Sequence, residues 1–202
     1  KGEKEFLTAI ELNPNDPMPR IYYAHLLTIL LRNDEAIAQG EKAIELDPLN
    51  PLVHGLFAVV LGSAGQWGKA LEHVEKAVSI DPTSFFAHHI MEFVSFETGN
   101  SEDFVKAIRF VFPLDEGQFQ SVEKTLEEKG LQEAYRELIS YLEILEQVHF
   151  LVQVHMANRY IRTGQHDKAL EYIMKGLEVH DQNIPYLVTG FLGYEPLFND
   201  PR

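Results

Sequence analysis

The chain has 202 residues with 17 basic against 31 acidic side chains, a net charge of −14, and no cysteine. Such a surface repels backbone phosphates and anionic lipid, which argues against nucleic acid and membrane as partners and fits a basic or neutral polypeptide. Disulfides, thiolate zinc sites and cysteine nucleophiles are excluded; no apolar run nears the roughly 18 residues that span a bilayer, and Lys1-Gly2-Glu3-Lys4 lacks a signal-peptide core, so a cytoplasmic location is expected.

A helix closes at Ile10-Glu11-Leu12-Asn13-Pro14, with Phe6, Ala9 and Ile10 on its apolar stripe. Two helices follow, over about residues 16–30 and from Asp34 to Leu46, marked by Ala24, Ala36, Ala43 and Pro48. The same marks return from about Asn50 to Ile80 as Ala58, Gly65, Ala70, Ala77 and Pro82. Pro14, Pro48 and Pro82 are 34 residues apart, and so are Ala9, Ala43 and Ala77. Each proline closes a helix because the residue before it is pushed out of the α region. Each alanine permits a close helix crossing, where a larger side chain would cost on the order of 1–3 kcal/mol. A third unit keeps Gly99 but loses the alanine and proline marks, and its second helix runs from Glu102 to about Val111. A degenerate pair covers roughly 115–129 and Gln132 to about Gln147, separated by Gly130. Gly164, 34 residues beyond Gly130, stands in a last clear unit with Ala157 and Ala169. From Asp181 the pattern stops, and the tail rich in apolar residues, glycine and proline is expected to be non-helical or nearly so.

A period of 34 built from helix pairs resembles the tetratricopeptide-repeat family, over Gly2 to Pro82. The resemblance implies an all-α, right-handed superhelical solenoid of antiparallel helix pairs, with a degenerate central repeat and a non-helical C-terminal tail. On that register residues 1–183 form the array: a partial repeat 1–14, repeats 16–48, 50–82 and 84–113, a degenerate pair 115–147 and a repeat 148–181. Residues 184–202 form the tail. Lys1 falls just before the second helix of a repeat, so the chain reads as a piece of a longer protein.

A narrower resemblance covers about residues 104–202. Gly130, Ala134, Tyr135, Ala157, Tyr160, the Gly164-to-Leu170 stretch and the terminal Glu195-Pro196-Leu197-Phe198-Asn199-Asp200-Pro201-Arg202 look like the C-terminal repeat region of multidomain bacterial signalling proteins. Such regions follow winged-helix, nucleotide-cyclase or kinase domains. There the motif usually opens on aspartate, where Glu195 stands, and runs on into a short helix, so a capping helix is expected to be missing.

The residues offer little chemistry. Gly62-Ser63-Ala64-Gly65-Gln66-Trp67-Gly68-Lys69-Ala70 superficially resembles a phosphate loop, but Ala70 replaces the magnesium-binding hydroxyl and no strand precedes it. Nine histidines suggest metal, yet no His-Glu-x-x-His occurs, and His54 and His88, in matching positions of successive repeats, stand too far apart. The acidic pairs Glu127/Glu128, Glu102/Asp103 and Asp115/Glu116 are expected on exposed helix ends and not in a cleft. No catalytic, metal or cofactor site is expected, and the fragment reads as no enzyme.

The family resemblance places a binding groove on the first helices of the repeats. Its positions are Met18, Ile21, His25 and Thr28; Leu52, Gly55, Val59 and Gly62; Phe86, His89, Phe93 and Phe96; and Leu151, Val154, Asn158 and Ile161. The lining is mostly apolar and aromatic, and Gly55 and Gly62 admit close approach of either a ligand or a neighbouring helix. The leading expectation is a protein-interaction scaffold that holds a peptide or helix there, with Phe93→Ala plus Val59→Asp abolishing capture at little cost in stability. The alternative is a regulatory or sensor domain of a signalling protein whose own tail fills the groove. A third reading is self-association as a homodimer, a symmetry mate supplying the missing first helix.

Overall fold

The computed structural model describes residues 2–146, 152–189, 191, 194 and 197. Among them are eleven α-helices, one 3-10 helix and no strand. The helices fall into two compact units, Lys1–Val111 with Thr189–Phe191, and Phe112–Val188 with Leu192–Arg202.

The first unit holds α1 (Gly2–Leu12), α2 (Pro17–Ile29), α3 (Asn33–Leu46), α4 (Pro51–Ser63), α5 (Trp67–Ile80), α6 (Phe85–Thr98) and α7 (Ser101–Val111). Local chemistry repeats with the period. Asp16, Asn50 and Ser84 cap α2, α4 and α6 by accepting from the backbone N–H of Met18 (2.9 Å), Leu52 (3.1 Å) and Ala87 (3.2 Å). Proline sits in the first turn of α2 and α4, where its missing N–H costs nothing. The marker alanines Ala24, Ala36, Ala43, Ala58, Ala70 and Ala77 are all fully buried. Each helix packs on the next from α1 to α7, and α2 also touches α4, as α4 touches α6. The odd-numbered helices have no comparable contacts with one another. The even-numbered helices therefore form one continuous inner layer and the odd ones stand outside it.

The turns between paired helices show why glycine recurs. Gly65 and Gly99 adopt φ of 73° and 70°, and Leu31, one period before Gly65, adopts 60°. At all three the following N–H reaches back five residues to a carbonyl: Arg32 to Leu27, Gln66 to Leu61 and Asn100 to Ser95, each 2.9 Å. This is the closure that ends a helix on a left-handed residue. Leu31 carries a side chain into that conformation while 62% exposed, so it gains little by burial. Left-handed backbone costs an L-residue about 1–2 kcal/mol, partly offset by the entropy glycine loses on folding. Leu31→Gly should raise the urea unfolding free energy by about 0.5–1 kcal/mol, and Leu31→Ala should not. A loss with glycine would mean that the Leu31 side chain contributes packing.

The second unit contains α8 (Glu116–Lys129), α9 (Leu131–Glu146), α10 (Gln153–Arg162), α11 (His166–Glu178) and the 3-10 helix Ile184–Val188. A capping box of Asp115 and Gln118 starts α8. Gly130, at φ 88°, turns the chain directly into α9. Consecutive helices pack on one another around a core that includes Tyr135, Leu138, Leu142 and Tyr160. The Tyr160 hydroxyl donates to Glu143 (2.5 Å), which also pairs with Lys168. Ahead of the tail, Asp181 Oδ1 accepts from the Asn183 N–H (2.9 Å) just before the 3-10 helix Ile184–Val188. Of the terminal motif, only Leu197 lies among the described residues; Glu195, Pro196 and Phe198 to Arg202 lie outside them.

Candidate functional site

The inner layer of the first unit carries most of the sequence-marked positions. On α2, Ile21 is fully buried and His25 nearly so. His25 Nε2 donates to the Leu56 carbonyl of α4 (2.9 Å), which ties the two inner helices together. On α4, Leu52, Gly55, Val59 and Gly62 form one stripe at helical spacing. Leu52 is 40% exposed and Val59 is buried. The two glycines are necessary for different reasons. A Cβ on Gly55 would lie 2.9 Å from the Phe86 ring of α6, and one on Gly62 would lie 2.7 Å from both Phe191 and Trp67. Gly55 thus admits a neighbouring helix of the same unit, and Gly62 admits a residue of the tail.

On α6, Phe86, His89 and Phe96 are half-buried while Phe93 is 1% exposed. The rings form a chain of contacts. Phe85 stacks on His89 at 6.2 Å, His89 meets Phe93 edge-on at 5.0 Å, and Phe93 meets Phe191 edge-on at 6.1 Å. Phe191 also lies 5.8 Å from Trp67. His89 Nδ1 stands 3.5 Å from the fully buried Glu92 carboxylate. The open part of this layer is consequently a rim of Leu52, Phe86, His89 and Phe96, while Ile21, Gly55, Val59 and Phe93 lie beneath the surface.

Val154 and Asn158 belong to the second unit and are fully buried there. The Val154 N–H donates to Asp181 Oδ2 (3.0 Å), and its carbonyl accepts from the Tyr194 hydroxyl (3.0 Å). Leu151 lies outside the described residues.

The outer side of the first unit holds features that sequence reasoning missed. His54 Nε2 donates to the Pro48 carbonyl (3.0 Å), which leaves Nδ1 as an acceptor for His73 Nδ1 (2.9 Å). His73 lines a cleft of about 400 Å³ with Glu41, Ile44, Glu45, Phe57, Leu61 and Lys69. Burial, then the neighbouring His54, brings the His73 pKa down to about 4. Asp103, expected on an exposed helix end, is buried, and its carboxylate is satisfied there by Asn100 Nδ2, which donates at 2.7 Å, and by Lys106 at 3.3 Å. Desolvation, then the Asp103 hydrogen bond and charge, raises the Glu75 carboxyl. His88 stacks on Phe110 at 3.9 Å. Among the described residues no cluster of three or more His, Cys, Asp or Glu could hold a metal, and no helix is long and apolar enough to cross a membrane. The partners in the His54–His73, His88–Phe110 and Glu75–Asp103 pairs stand 19, 22 and 28 positions apart, so no local spacing marks them.

Burial lowers the His25 pKa to about 4, against an ordinary 6.5. The unfolded chain then takes up a proton near pH 6.5 while the folded chain does not. Stability is intact above that value and declines as pH falls toward 4. Between pH 7.5 and 5.0 this residue should cost about 2 kcal/mol. Urea melts of wild type and His25→Gln at both values check it: the variant should lose less on acidification, and an equal loss refutes the assignment.

The tetratricopeptide repeat family matches residues 152–183. Among solved structures the chain is similar to YrrB, described as a TPR protein with an unusual peptide-binding site, at 22% identity and a TM-score of 0.54, over 90% of this chain and 95% of that one. It is also similar to MamA at 16% identity and a TM-score of 0.47, over 91% and 90% of the two chains. MamA from Desulfovibrio magneticus RS-1 aligns at 16% identity and 0.48, over 88% and 83%. No curated protein sequence matches the chain. At 22% identity the likeness to YrrB is one of fold.

Proposed function

We propose, from the tetratricopeptide-repeat match over residues 152–183 and the fold likeness to YrrB, that the chain is a non-enzymatic protein-interaction module of the tetratricopeptide-repeat kind whose inner layer of α2, α4 and α6 holds a peptide or helix. The supporting observation is the rim of Leu52, Phe86, His89 and Phe96, which is apolar but for His89, partly open and carried by adjacent helices. Covering a large apolar side chain is worth about 1.5–3 kcal/mol, so a few such anchors suffice for micromolar capture. The shared fold with YrrB, described as having a peptide-binding site, is in keeping with this. The net charge of −14 favours a partner that is neutral or basic.

Peptides selected from a displayed random library against the full chain test the proposal by calorimetry. Leu52→Glu and Phe96→Ser should weaken binding at least tenfold while the melting temperature stays nearly constant. Undiminished binding to both would exclude the inner rim as the site.

The second reading is a regulatory domain of a signalling protein, with the groove held by the chain's own tail. Phe191, seated on Gly62, Trp67 and Phe93, favours it. Under this reading the tail competes with the partner. The buried positions Ile21, His25, Gly55, Val59 and Phe93 then shape the floor of the groove, and Leu52, Phe86, His89 and Phe96 its contact surface. Val154 and Asn158, fully buried, would shape the corresponding face of the second unit from beneath.

A further inference from the structure

Phe191 sits in a socket that the first unit has shaped for one aromatic ring. The floor is Gly62, where even a methyl group would lie 2.7 Å from the Phe191 ring edge. One wall is Trp67, with ring centroids 5.8 Å apart and planes 33° from parallel. The other is Phe93, edge-on at 6.1 Å and 80°. Phe191 is only 4% exposed. Aromatic rings prefer tilted and edge-on arrangements at these separations, and each such contact adds about 0.5–1.5 kcal/mol to area burial. A flat ring fits between a tryptophan face and a phenylalanine edge above a missing side chain. An aliphatic group would forgo the ring contacts.

The occupant comes from far along the sequence. Among the described tail residues, Thr189 and Phe191 group with the first unit, while Ile184–Val188, Tyr194 and Leu197 group with the second. One side chain on a short, non-periodic segment is therefore the plug. The socket continues the stripe of Leu52, Gly55 and Val59 on α4, and its Phe93 wall lies on the helix that carries the rim residues Phe86, His89 and Phe96.

We infer that this socket is the anchor subsite of the inner-layer peptide site and takes a phenylalanine side chain of a partner segment, which exchanges with Phe191. The inference rests on the peptide-binding reading above and specifies the partner: an apolar segment without net negative charge, with phenylalanine as its anchor. The tail is then an internal competitor. A site open only a fraction of the time binds more weakly by that fraction, so an intrinsic affinity is masked until Phe191 leaves.

Trp67 is the sole tryptophan and forms one wall, so its emission reports occupancy directly. The probe is a synthetic peptide of residues 184–194 with two lysines added at each end, and a second copy with alanine in place of phenylalanine. In the full chain, Phe191→Ala should shift Trp67 emission to the red. The phenylalanine peptide should restore the wild-type spectrum, with an apparent affinity at least tenfold tighter than for wild type. The alanine peptide should have no effect, and Gly62→Leu added to Phe191→Ala should abolish the response. Circular dichroism checks folding; if Phe191→Ala loses helicity, Phe191→Leu replaces it under the same criteria. No recovery with the phenylalanine peptide overturns the inference, as do equal affinities for wild type and variant, or equal effects of the two peptides. Library-selected peptides separate this failure from that of the wider reading. If they still bind Gly62→Leu but lose affinity on Leu52→Glu, the rim stands and the socket falls; if no peptide binds any form, both fall.

Discussion

Phe93→Ala lowers the unfolding free energy by about 3–5 kcal/mol, the range for truncating a buried aromatic side chain. The ring is 1% exposed. It meets His89 at 5.0 Å and 77° and Phe191 at 6.1 Å and 80°, so its loss leaves a void bordered by rings that cannot all close in. Against a total stability of about 5–15 kcal/mol, that loss is a large share. Urea unfolding followed by circular dichroism measures it, and a loss below about 1 kcal/mol would show that the inner layer is open at this position. Read from sequence alone, Phe93→Ala with Val59→Asp is a binding variant that spares stability. Burial reverses that expectation, since Val59→Asp also places a carboxylate where the side chain is 6% exposed. Leu52 and Phe96, partly open, probe binding without dismantling the fold.

Replacing Gly40 with alanine destabilises the chain by about 1–3 kcal/mol, although alanine is the better helix former by about 1 kcal/mol. The added Cβ would stand 2.2 Å from Cδ2 and 2.4 Å from Cε2 of Phe57. That ring is 3% exposed and is held edge-on by His73 at 4.8 Å, so moving aside into the neighbouring cleft breaks its packing. Phe57→Ala alone should cost about 3–5 kcal/mol. The double variant carries the argument. With the ring gone, Gly40→Ala should turn from a loss into a gain of up to about 1 kcal/mol, because only helix propensity remains. Additive losses in the two variants would mean that α3 and α4 are not spaced by this contact.

The signs that local chemistry leaves in the chain were the legible ones. Proline ends a helix through its neighbour's backbone, and alanine allows a crossing through the absence of bulk. Glycine permits a left-handed turn without a Cβ. Each effect acts within a few residues, so Pro48, Ala43 and Gly65 declare their roles in any context and their 34-residue period exposes the stack. Leu31 shows the limit of that legibility. It occupies the left-handed position of Gly65 and Gly99, and its identity hides the turn that its neighbours' hydrogen bonds enforce. The stripes on α4 and α6 were legible as stripes too. Which of their members reach solvent was not, because Phe86 over Gly55 and Phe191 over Gly62 are contacts between separate helices or segments.

Periodicity by itself determined an all-α stack of helix pairs, because helix start, crossing and stop are set by forces that act over one or two turns. Tertiary structure alone decided that Phe93 is floor and Leu52 is rim, that His73 donates to His54, and that the residue facing Trp67 comes from position 191. Burial depends on what approaches from elsewhere in the chain. Packing of that kind has no signature at short range.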